Sequence, residues 1–167
     1  MNRKRIVAKL FEITQGFYVK HFKKHKTPWP LNRQDLLKYP KGSLGLALGE
    51  FLTQNGFEMI PRVERHDAYH VLLNFGTQAQ DEIALQYLCF ANGKRSKYLF
   101  GVISIGTLFL PEYLPYYRQC YKLGKRLNCF HDLDYLPLLT TDLAELRAAI
   151  STPSQQEQIQ QLAQQYH

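Results

Sequence analysis

The chain has 167 residues, 45% hydrophobic, 13% aromatic and 21% charged, a globular balance that argues against disorder except at the ends. A single domain of this size removes about two-thirds of its surface from water, so a sizeable core needs no cross-links. The net charge of +7 is uneven: residues 1–41 hold eleven Lys or Arg against Glu12 and Asp35, and the remainder holds ten basic and twelve acidic residues. Anionic lipid headgroups, nucleic acid and acidic partners all read such a field.

Along the chain, Ile6, Val7, Leu10, Phe11, Ile13, Phe17, Tyr18 and Phe22 recur at helical intervals, with Lys4, Lys9, Lys20 and Lys24 between them. This pattern predicts a basic amphipathic helix over about 4–22 that can lie on an anionic bilayer surface. The segment has no uninterrupted apolar region and no small-residue cleavage site, so it does not read as a secretory signal. Pro28 and Pro30 then punctuate the chain. Ser43 predicts a cap for a helix running through LGLALGEFLTQ to Gly56. Gly45 and Gly49 share one face of it and require a close neighbour, either a helix or a lipid chain.

After Pro61 a helix carries His66 and His70 to about Phe75. Gly76 ends that helix, makes a tight turn, or sits inside one longer helix. Thr77 to Ala91 is helical again, with Asn92-Gly93 as its stop. The apolar run YLFGVISIGTLFL, Tyr98 to Leu110, is too short to span a bilayer and reads as a buried helix. Asp142 and Glu145 predict a capping box for a short helix to Ile150, and Thr152, Pro153 and Gln155 a second start. The Gln-rich tail, 151–167, is polar enough to be expected to fray. No β-branched alternation argues for a sheet, so the expected fold is all-α and single-domain. Cys89, Cys120 and Cys129 form no C-x-x-C pair, which predicts small core residues in a reducing compartment and no cysteine-ligated zinc site.

The chemistry-bearing stretch is RHDAYHVLLNFGTQAQDE, Arg65 to Glu82. On a helix His66 and His70 lie one turn apart on one side, and Asp67 sits at the edge of that stripe. Glu82 reaches them only if the chain reverses near Gly76. Two imidazoles with one or two carboxylates suit zinc, iron or manganese better than magnesium. The alternative is ordinary histidines satisfied by Asp67 and nearby carbonyls. A thermolysin-like protease would carry Glu where this chain has Asp67. An HD-type phosphohydrolase needs further ligands, and His21, His25, His131 and Asp132 have no spacing that turns them inward.

His66, Asp67, His70 and Glu82 resemble the HD, two residues, H, eleven residues, E signature of the Coq4 family of ubiquinone-biosynthesis proteins. YPKGSLGLALGEFLTQNGF is similar to that family's Gly-Ser/Thr-Leu-Gly segment, and TDLAELRAAI to its closing Leu-Arg helix, so the likeness covers about 37–150. The resemblance implies a helical fold with a divalent metal, usually zinc, at His66, Asp67, His70 and Glu82. It further implies a channel for an isoprenoid tail, peripheral membrane association and quinone-biosynthesis partners. Two activities follow from it: oxidative decarboxylation at ring carbon 1 of a polyprenylated benzoate, or a non-catalytic role as isoprenoid-lipid binder or assembly protein. The chain departs from the family pattern at Asp81, commonly glycine, and in a short segment between Gly56 and His66. Asp81 is expected either to raise the pKa of Glu82 or to face solvent.

On this reading Asp67 or Glu82 supplies a base, and zinc, which lacks redox chemistry, leaves the oxidation to iron, another cofactor or a substrate that reacts with oxygen. Candidate lipid contacts are Leu44, Leu46, Leu48 and Phe51 around the two glycines, with Leu99, Ile103 and Leu108. Leu37, Tyr39 and Tyr116 are candidates for the entrance. The partners expected are a prenylated aromatic lipid and an anionic membrane, with a cytoplasmic location peripheral on the inner membrane. No helix-turn-helix or zinc-finger spacing supports nucleic-acid readout.

Overall fold

The computed structural model describes residues 3–6, 9 and 27–166. Residues 3–6 and 9 are helical, and Arg3 reaches Glu112 at 3.0 Å; the rest of the predicted 4–22 helix, with His21 and His25, lies outside the described residues.

Eight α-helices follow among the described residues: α1 (Arg33–Leu36), α2 (Leu44–Gln54), α3 (Glu64–Leu73), α4 (Ala79–Ala91), α5 (Lys97–Phe109), α6 (Leu114–Gly124), α7 (Leu143–Ile150) and α8 (Pro153–Tyr166). They contain no strand; Ser43 and Asp142 form an isolated antiparallel bridge. The fold is a single all-α domain. Helix starts follow the predicted chemistry. Ser43 Oγ accepts from Leu46 N at 3.2 Å, Asp142 Oδ1 from Ala144 N and Glu145 N, and Thr152 and Gln155 cap one another reciprocally.

Helix α4 is the centre. It packs along α6 and across α5, and its Ile83, Ala84, Leu85, Leu88 and Cys89 are wholly buried. Each fully buried Leu or Ile contributes roughly 1.5–3 kcal/mol relative to an exposed one. The glycine face of α2 is filled by protein and not by lipid: a Cβ on Gly45 would stand 2.6 Å from the Tyr39 ring, and one on Gly49 3.0 Å from the backbone of Leu37. Leu44, Leu48 and Leu99 are closed inside the core.

Two expectations change. Helix α5 is not wholly buried: Leu99, Val102 and Gly106 face inward, whereas Phe100, Ile105 and Leu108 stay exposed, Leu108 by 78%. It lies at the edge of the domain, so one stripe suffices to seat it. Among the described residues no single helix is long and apolar enough to cross a membrane. The pair Lys97–Phe109 and Pro111–Gly124 passes together on length and composition, bent by 105°. The tail also forms an ordered helix, because Gln155, Ile159 and Leu162 of α8 are buried and Tyr166 stacks on Tyr116 at 4.6 Å.

Candidate metal centre

The reversal that joins the site happens at Asn74 and not at Gly76. Asn74 ends α3 in the left-handed region at φ 53°, and Phe75 N donates back to His70 O at 3.0 Å. Gly76 is not among the residues with positive φ. Asn visits this region more readily than most non-glycine residues, because its short polar side chain can bond locally. Arg147 of α7 holds the same helix end, donating to Val71 O at 2.8 Å and Leu72 O at 3.1 Å. These carbonyls belong to the last turn, where helical partners run out; Val71 O also accepts from Asn74 N at 3.3 Å.

With the hairpin closed, His66, His70 and Glu82 converge. His66 Nε2 lies 3.3 Å from Glu82 Oε2, His70 Nε2 lies 3.1 Å from Glu82 Oε1, and the ring centroids are 4.8 Å apart. The Phe51 ring stacks on His70 at 5.6 Å, and His70 is 2% exposed. His70 Nδ1 is 3.3 Å from Phe75 O, which can only accept, so that contact places the proton on Nδ1 and directs Nε2 toward Glu82.

Asp67 falls elsewhere: its carboxylate is 3.7 Å from His66 Nδ1, outside the group of His66, His70 and Glu82 whose ligand atoms lie within 4.8 Å of one another. Burial works against a charged His66, but the Glu82 charge and the contacts with Asp67 and Glu82 outweigh it and raise its pKa to about 9. Burial would push Glu82 up, yet the His70 and His66 charges hold it well below the ordinary carboxylate range. Asp81 therefore neither raises Glu82 nor faces solvent. It is fully buried against α6 and accepts from the Tyr116 hydroxyl at 3.2 Å.

The donor set suits a divalent metal. Two imidazoles and a carboxylate bring borderline ligands to one point. Gln86, one turn beyond Glu82 on α4, adds a polar group that sequence reasoning missed. Its amide Nε2 is 3.1 Å from His66 Nε2, and its Oε1 is buried without a partner. Reversing the amide, a choice set by the hydrogen-bond network, turns that oxygen toward the same point. The i+4 spacing from Glu82 was the signal available for it.

The triad lies in the wall of a cavity of about 860 Å3. Its lining is mixed: Phe51, Phe57, Ile60, Val63, Tyr98 and Val102 are apolar, Arg62, Arg65, Lys94 and Arg95 basic, and Glu58, Glu64, Asp67, Glu82 and Asp132 acidic. Of the predicted lipid contacts only Phe51 is among its lining residues; Leu44, Leu48 and Leu99 belong to the core and Ile103 packs against it. Alternating apolar residues on short loops gave no periodic signal, which is why Phe57 and Ile60 escaped notice.

His131 and Asp132 do turn toward this cavity. Cys129 pairs with no other cysteine, but brings Sγ within 3.2 Å of His131 Nδ1 and 3.1 Å of Asp132 Oδ1. Cys89 and Cys120 are buried, as predicted.

No protein-family model matches the chain, and no curated protein matches it. Among solved structures, its fold is shared with a protein from Nostoc punctiforme PCC 73102 whose crystal structure at 2.85 Å names it, provisionally, a ubiquinone biosynthesis protein. The TM-score is 0.60 at 21% sequence identity, covering 89% of this chain and 80% of that one. The likeness establishes the fold.

Proposed function

We propose that this chain is a Coq4-like, metal-dependent protein of ubiquinone or related isoprenoid-quinone biosynthesis that acts on a polyprenylated hydroxybenzoate at ring carbon 1. The observation that carries this reading is the convergence of His66, His70 and Glu82 in the wall of a cavity lined by both apolar and charged side chains. A volume of about 860 Å3 is within the range of sites that enclose most of a drug-sized ligand. The shared fold of the cyanobacterial protein supports the pathway.

His66, His70 and Glu82 would hold the metal, zinc or iron, and Asp67, 3.7 Å from His66 Nδ1, would orient that ring from outside the ligand group. When bound, a divalent metal supplies Lewis-acid polarisation of the phenolic oxygen and the ring carboxylate. Lys94 binds the substrate anion and holds it toward the triad, and Phe51, Phe57 and Ile60 exclude water and receive the prenyl chain. Asp67, bordering the cavity beside His66, takes the phenolic proton. Replacing the carboxylate by hydroxyl is an oxidation, so a zinc-loaded site requires a ring that itself reacts with dioxygen. The basic segment near the N terminus and the exposed Phe100, Ile105 and Leu108 of α5 fit an anionic membrane surface as the source of such a lipid.

Metal analysis of the purified protein with mass spectrometry of its bound lipid, followed by aerobic turnover of a prenylated hydroxybenzoate, tests the reading. Glu82→Ala should lower turnover by more than about 100-fold, beyond the roughly 10–100-fold that loss of an outer ligand partner costs. Equal turnover in the variant sinks the assignment. Lipid binding without turnover under any metal would make the chain an isoprenoid-lipid binder or assembly protein instead.

A further inference from the structure

We propose that Cys129, His131 and Asp132 form a second, independent divalent-metal site for a thiophilic ion such as zinc. Their ligand atoms all lie within 4.8 Å of one another, and they are of three kinds: a sulfur, an imidazole nitrogen and a carboxylate oxygen. Thiolate, imidazole and carboxylate together favour zinc over the hard cations magnesium and calcium. A deprotonated Cys129 and Asp132 carry two negative charges, which one divalent ion neutralises.

The loop is built to hold this shape. The Asn92 side chain, at the end of α4, donates to Gly124 O at 3.3 Å, Leu127 O at 3.4 Å and Asn128 O at 3.1 Å. Its Oδ1 accepts from Phe130 N at 3.0 Å and His131 N at 3.3 Å. The Tyr69 hydroxyl donates to His131 O at 2.7 Å. Gly93, at φ 117°, gives the His131 ring its seat: a Cβ there would lie 2.7 Å from His131 Cε1. One amide and one hydroxyl thus fix the backbone of the loop at His131, and one glycine leaves room for its imidazole.

The site is separate from the helical triad. The triad's His66 meets Gln86, which stands six residues before Asn92 along α4 and its cap, about 9 Å of helical rise. Ions that share a bridging ligand sit about 3.5–4 Å apart, so the two clusters do not make one dinuclear centre. Three protein ligands leave a coordination position open, unlike a structural zinc site closed by four. His131 and Asp132 line the cavity, so that position is available to a ligand entering it. Cys129 is exposed whereas Cys89 and Cys120 are buried, so an added ion meets one accessible thiol among the described residues.

Cobalt(II) titration of the reduced, metal-stripped full-length protein tests this, because cobalt bound to thiolate gives a charge-transfer absorption in the near ultraviolet. Two equivalents and that band are expected. Cys129→Ser should remove the band and one equivalent, and Asp132→Asn should weaken the band-forming equivalent by about tenfold or more. Both residues are exposed, so the variants are expected to keep the wild-type circular dichroism. His70→Ala should remove the other equivalent and keep the band. A wild-type protein without the sulfur band, or a band that survives in Cys129→Ser, overturns the proposal.

Discussion

The two ligand clusters of this molecule are made in opposite ways. His66, His70 and Glu82 ride on regular helices, where the i,i+4 spacing and one hairpin turn bring the groups together. Cys129, His131 and Asp132 sit on a loop whose path is dictated by Asn92, some 38 residues earlier than Phe130. The first cluster is held by packing distributed over α3, α4 and α7, and the second by a few hydrogen bonds to the Asn92 side chain and one from the Tyr69 hydroxyl. Disturbing their supports separately should therefore affect one site and spare the other.

The largest effect is expected at Arg147. Removing its two hydrogen bonds to the end of α3 in Arg147→Ala should cost about 3 kcal/mol, given that bonds from charged donors contribute about 1.5–3 kcal/mol each and this group is half-buried. Denaturant unfolding reads the loss, and metal titration should show the helical site weakened with the loop site intact. Equal weakening of both would erase the distinction. Asn92→Ala should do the converse: about 2 kcal/mol of stability and a roughly 10–100-fold weaker loop site. If cobalt at His66 and His70 weakens as much, the loop is not held independently.

A smaller effect belongs to the turn. Asn74→Val places a β-branched residue at φ 53° and should cost about 1–2 kcal/mol, whereas Gly76→Ala should stay within about 0.5 kcal/mol. A thermal melt that ranks them the other way would restore Gly76 as the pivot. The smallest is a pH slope in the metal-free protein. His66 is raised from 6.5 to about 9, so its share of stability is fully present below about 6.5 and lost as pH rises through about 9. Glu82, held low, adds stability above the ordinary carboxylate range that is lost on acidification. Unfolding free energy of chelated protein should thus fall from neutral to alkaline pH, and Glu82→Ala should flatten that fall.

The helical architecture was readable because caps and periodicity are local: Ser43, Asp142 and Thr152 start the helices that their side chains announce. The convergence of His66, His70 and Glu82 was readable up to one condition, a reversal between His70 and Glu82; the residue making that turn was misplaced, and Asp67, expected with them, falls outside the group. Burial was less legible. The composition of α5 reports that it is apolar and not that a single stripe finds a neighbour, and the leucines beside Gly45 and Gly49 gave no sign that Tyr39 and α1 already fill that face. The loop cluster was invisible because nothing in C-x-H-D spacing announces the amide that shapes it.

Asp81 has one further consequence. Its buried carboxylate meets the Tyr116 hydroxyl, Tyr116 is covered by Tyr166, and Gln80 also bonds Tyr166 O at 3.4 Å. The end of the Gln-rich helix is therefore a lid on a polar pair adjoining the triad's own acid. Trimming the chain before Tyr166 would take away the ring that covers Tyr116 and open that pair to water.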